Sequence, residues 1–100
     1  MEGLLEQLSS LEDRYRELSL RVIEPSVISD AAAYRSAIRD FKQLEPIVEQ
    51  VKQYKEWASA LEEAKSDRES EDLELREMAA EEVAHLTQSL DQLRRALQEA

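Results

Sequence analysis

Leu4, Leu8, Leu11, Tyr15, Leu18 and Val22 follow one another at alternating steps of four and three. An α-helix returns to the same side at those intervals, so these apolar side chains form one seam that only a partner helix can cover. The spacing recurs at Tyr34, Ile38, Phe41, Leu44, Val48, Val51, Lys55, Ala58 and Leu61, and again at Leu75, Ala79, Val83, Leu86, Leu90, Leu93 and Leu97. Three seams predict three packed helices. A single Gly, two Pro and five aromatics, against a surplus of Leu, Ala, Glu, Gln and Arg, suit helices and leave strands improbable. One hundred residues can bury one modest core.

The breaks between seams set the boundaries. Pro25 lacks the amide hydrogen that a helix interior needs, while Ser29 or Asp30 can cap the helix that follows. Val27 and Ile28, apolar inside this reversal, are expected to plug the end of the bundle. Ser66 to Glu71 is polar and charged, and Asp72 is a good N-cap. The reading is a single helical domain over residues 1–100, with helices at 3–22, 30–65 and 73–98 and turns at 23–29 and 66–72. Pro46 falls inside the second helix at a cost of roughly 3 kcal/mol, but the apolar register runs on through Ile47, Val48 and Val51. A continuous helix with a kink is therefore expected rather than two helices.

At 1.5 Å per residue the helices would be about 30, 50 and 40 Å long. The first then reaches only to about Pro46 of the second. The expected fold class is all-α, an antiparallel three-helix coiled-coil-like bundle from which the rest of the second helix and the first half of the third project as a two-helix hairpin. The hairpin's apolar residues, Trp57, Ala58, Leu61, Ala64, Leu75, Met78 and Ala79, are sparser and smaller, as two-helix packing requires. Glu12 and Arg16, like Glu17 and Arg21, stand four apart with the acid first, a pairing that adds a few tenths of a kcal/mol. Glu74, Glu77, Glu81 and Glu82 early in the last helix, with Arg94 and Arg95 near its end, match the helix dipole.

A formal charge of −10 repels phosphate backbones unless the bases are segregated. They are not: the balance is −2 over 1–22, −1 over 30–65, −3 over 66–72 and −3 over 73–100. Direct nucleic-acid binding is thus a minority reading. Cysteine is absent, which removes disulfides, thiolate metal sites and cysteine nucleophiles. The acidic start, Met1 to Glu6, does not resemble a secretory or transit signal, and no apolar run is long enough for a bilayer. A cytoplasmic protein without a membrane partner is expected.

Enzyme hypotheses lack parts. His85 is the sole histidine, and without cysteine or a second nitrogen ligand it makes no zinc site; a surface histidine beside the seam explains it better. Glu62 with Glu63, Glu81 with Glu82, and the acids from Asp67 to Asp72 read as solvated faces rather than a carboxylate pair or cation site. The scattered serines sit in no nucleophile elbow, and the one glycine, Gly3, cannot build a phosphate loop. Catalytic, cofactor-binding and metal residues are all expected to be absent, and so are cofactors. Trp57 reads first as core filler and second as an interface anchor. Tyr15, Tyr34, Tyr54 and Phe41 keep the seam's spacing and are expected in the core.

The order of the pieces carries a resemblance. After the Leu-rich first helix come Glu24-Pro25-Ser26-Val27-Ile28-Ser29-Asp30, Tyr34-Arg35, Leu44-Glu45-Pro46-Ile47-Val48-Glu49 and Asp72-Leu73-Glu74-Leu75-Arg76-Glu77-Met78-Ala79. Together they resemble the N-terminal domain of bacterial-type class I peptide chain release factors, closer to the factor reading UAA and UAG than to its sister reading UAA and UGA. The resemblance covers essentially the whole chain. Leu73 stands where the family often has Pro, a change that suits a helix start. The family reads stop codons with a Pro-x-Thr-type tripeptide and promotes peptidyl-tRNA hydrolysis with a Gly-Gly-Gln motif; neither occurs in these residues. The resemblance implies a non-catalytic accessory domain, a fragment of a longer protein. It further implies a place near the stalk base of the large ribosomal subunit and an influence on the GTPase-type release factor.

Two other classes compete. A free-standing helical adaptor could oligomerise through its heptads. An RNA-binding hairpin could use Arg35, Arg39, Lys42, Lys52 and Lys55, but Asp40, Glu45, Glu49 and Glu56 share that helix.

Overall fold

The structure is a computed structural model and describes residues 2–99. Among the described residues there are four α-helices and no strand: α1 (Glu2–Arg21), α2 (Pro25–Ile28), α3 (Ala31–Asp67) and α4 (Leu73–Glu99). The chain divides into two compact units. One runs up to Val51 and the other from Lys52 onward. Helix α3 contributes to both.

In the first unit the reversal after α1 contains a single turn of helix. Glu24 is the extended N-cap of α2, and Pro25 occupies the first helical position, where a missing amide hydrogen costs nothing. Asp30 then starts α3, its carboxylate accepting the amide of Ala33 at 3.2 Å; of the two caps the sequence offered, Asp30 makes this bond. Ser29 donates to the Ser26 carbonyl instead. Tyr15 of α1 stacks on Phe41 of α3, with ring centroids 4.9 Å apart and planes 17° from parallel. Contacts at similar distances from the connection require the two helices to run antiparallel. Leu8, Leu18, Ala37, Val48 and Val51 are buried, and Val51 is fully so.

One expectation fails here. Val27 is buried, but Ile28 is 51% exposed, so only the first of the pair fills the end of this unit. Neighbouring residues on a helix point about 100° apart, and a single turn cannot bury both. Leu20 and Ile23 are exposed as well.

Helix α3 is unbroken from Ala31 to Asp67 with Pro46 inside it. Pro46 is exposed, so its ring meets solvent while Val48 and Val51 carry the packing on.

In the second unit α3 ends in a hydrogen-bonded turn: the amides of Arg68, Glu69 and Ser70 donate to the carbonyls of Ala64, Ser66 and Asp67. The Ser70 hydroxyl then accepts the Asp72 amide at 3.1 Å, and the Asp72 carboxylate accepts the amides of Glu74 at 3.0 Å and Leu75 at 3.4 Å. Two of the orphan donors at the start of α4 are thereby satisfied. Tyr54, Ala64, Ala79, Leu86 and Leu97 are buried. Alanines close to the turn allow the two helix backbones to approach closely.

Two seam positions in this unit, Lys55 and Leu75, and the hairpin residue Met78 need correction. Lys55 is exposed, because the seam steps from Val51 to Tyr54 by three rather than to Lys55 by four. Leu75 and Met78 are 40% and 67% exposed, since the first turns of α4 have little beside them to cover large side chains. Tyr54 is buried as expected, whereas Tyr15, Tyr34 and Phe41 are half-buried.

Candidate interaction surface

The residues that bear chemistry all lie on the surface. No polar or charged side chain is buried among the described residues. His85 is exposed, and no group of three or more His, Cys, Asp or Glu side chains capable of holding a metal occurs among the described residues. The acid pairs Glu62–Glu63 and Glu81–Glu82 are exposed, with Glu62 beside Lys65 at 3.6 Å. Hydroxyls are engaged locally: Ser19 donates to the Arg16 carbonyl and Thr87 to the Val83 carbonyl, each at 2.7 Å. No described helix is long and apolar enough to cross a membrane.

The ion pairs follow helical geometry. Arg16 meets Asp13 at 3.3 Å and Arg14 meets Glu17 at 3.6 Å, both three residues apart. These exposed pairs stabilise by a few tenths of a kcal/mol at most. Asp91 holds a tighter cluster, with Arg94 on one carboxylate oxygen at 2.7 Å and Arg95 on the other at 3.1 Å. The hydrogen bond from Arg94 is the main reason its carboxyl titrates below the ordinary value of 3.8; partial desolvation opposes the shift, and the charges of Arg95 and Arg94 add to it. The two arginines thus serve Asp91 rather than the helix end, for the last turn of α4 contains no base, and only Glu74 lies in its first turn.

The bases proposed for RNA, Arg35, Arg39, Lys42, Lys52 and Lys55, are exposed but strung along α3, with Asp40 within 4.0 Å of Arg39. That is not a continuous positive face. Trp57 is half-buried. With Ser89, Gln92 and Leu93 it lines an open groove of about 270 Å³. In the first unit Arg14, Leu18, Asp40, Gln43, Leu44 and Ile47 line another of about 280 Å³.

A third surface lies off the seams. Glu74, Glu77, Met78 and Glu81 line a shallow groove of about 360 Å³ on the solvent side of α4, and Leu73 beside them is 59% exposed. The signal was in the spacing: Met78 precedes the seam residue Ala79 by one, which turns it about 100° off the packed side.

The comparisons with known proteins agree with the resemblance. The PCRF domain family matches residues 11–100. The chain is 38% identical over 98 residues to peptide chain release factor 1 of Clostridium botulinum strain Hall, covering 94% of this chain and 26% of that protein. It is 39% identical over 92 residues to the factor of the same name from Exiguobacterium sp. strain AT1b, covering 90% and 26%. With that of Acidobacterium capsulatum it shares 32% over 90 residues, covering 90% and 25%. The chain thus spans about a quarter of the length of the curated relatives it matches. No solved structure matches it at a comparable level.

Proposed function

The chain belongs to the PCRF domain family, and from that premise we propose that it is the accessory N-terminal domain of a peptide chain release factor, acting in stop-codon-dependent translation termination on the ribosome. The observation that carries the proposal is the match over residues 11–100, with relatives that bear the name peptide chain release factor 1. The helical surface suits the role: it has grooves, exposed apolar residues and clustered charge for contact, and among the described residues no buried polar group to support chemistry. In this reading the chain is one part of a longer cytoplasmic protein whose decoding and hydrolytic motifs lie in other parts. Its partner is the ribosome, at the stalk-base region of the large subunit, with an influence on the GTPase-type release factor. The net charge of −10 favours ribosomal protein over ribosomal RNA as the surface touched.

The test is a release assay on stop-programmed ribosomes. The 100-residue chain should release no peptide by itself, and it should slow release by a complete factor by competing for its position. Peptide release by the chain alone, or no competition at any concentration, would overturn the assignment.

A further inference from the structure

The groove on α4 differs from the other surfaces in combining exposed apolar side chains with charge of one sign. Met78 is 67% exposed, Leu73 59% and Leu75 40%, within the first two turns of one helix. Glu74, Met78 and Glu81 follow at steps of four and three and so share a stripe, with Glu77 beside it. The one base in these turns of α4, Arg76, is two residues from both Glu74 and Met78, a separation that places it on nearly the opposite side of the helix. Among the described residues none of the three glutamates forms an ion pair. The segment just before α4, residues 66–72, adds a net −3.

From this juxtaposition we propose that the solvent face of the first turns of α4 docks a cationic, amphipathic segment of a protein. Charge complementarity selects the occupant: lysine or arginine side chains meet Glu74, Glu77 and Glu81, while an apolar residue covers Met78. A nucleic acid meets like charge on the same face. Methionine suits the apolar part, because its unbranched, polarizable side chain adapts to varied partners. The acids guide encounter and register, and the apolar contact adds residence time. The inference deepens the termination reading and rests on it for where the partner is found.

Two measurements on the 100-residue chain test it. The first is fluorescence anisotropy of a labelled 18-residue helical peptide with lysine on one face and leucine on the other. Reversing Glu74, Glu77 and Glu81 to Lys should weaken binding by about tenfold or more, and Met78→Ser by about threefold. The control reverses the exposed acids Glu6, Glu45 and Glu63 to Lys, with the same change in net charge; equal losses in test and control overturn the inference. Circular dichroism on each variant confirms that helicity is kept.

The second measurement puts a photoreactive diazirine analogue in place of Met78 and irradiates the chain with large ribosomal subunits. An adduct to a basic ribosomal protein supports the inference. An adduct to ribosomal RNA overturns it while leaving the termination reading intact. Failure to cosediment with ribosomes counts against the termination reading, and the peptide result then decides the face by itself.

Discussion

Asp72 and Asp91 are both exposed or half-exposed carboxylates, yet their contributions differ in kind. Asp72 accepts the Glu74 and Leu75 amides that α4 cannot satisfy internally. Replacing it with Ala is expected to cost about 1 kcal/mol, read as a lower urea midpoint with an unchanged slope. Asn, which keeps the acceptor oxygen, should recover most of the loss. Asp91 acts through charge. Its carboxyl is held below 3.8 first by the Arg94 hydrogen bond, so the folded state binds its proton less readily than the unfolded state does. The resulting stability is present above pH 3.8 and is lost as pH falls through the lower, folded value. Asp91→Asn should therefore be the less stable protein at neutral pH, and the gap in urea midpoints should close on acidification below that point. A gap that persisted in acid would assign the effect to packing instead.

At the scale of the element, α3 is the unusual piece, with 37 residues and a proline in its interior. Pro46 removes the hydrogen bond to the Lys42 carbonyl, and its ring crowds that oxygen. The helix continues because Val48 and Val51, both buried just beyond it, hold the following turn in register. Since Pro46 is exposed and packs little, Pro46→Ala is expected to restore the missing bond and stabilise the fold by about 1–3 kcal/mol, seen as a higher thermal midpoint. No change or a fall would mean that a bend at Pro46 is required for packing on one side of it. Helix α2 shows the opposite use of the residue. At the first position of a helix Pro25 is compatible with the backbone and fixes where the turn begins.

At the scale of the molecule, charge governs what the surface can meet. At −10, with bases interleaved among acids, the chain should show no retention of an RNA hairpin in a filter assay at physiological ionic strength. Tight, steeply salt-dependent retention would revive the RNA-binding alternative. The helical character, the caps at Asp30 and Asp72, the interrupting prolines and the family were all legible in the sequence, because spacing, propensity and capping are local properties written in neighbouring residues. Most seam residues also proved buried or half-buried. The seam positions Lys55 and Leu75 did not, nor did Ile28 in the turn and Met78 in the hairpin: spacing shows which side of a helix a residue takes but not how far the cover extends. Only the tertiary structure shows that cover is thin over the start of α4. Spacing puts Met78 off the packed side, but only the structure shows that Leu75 is left uncovered there and that Met78 and the three glutamates line one groove.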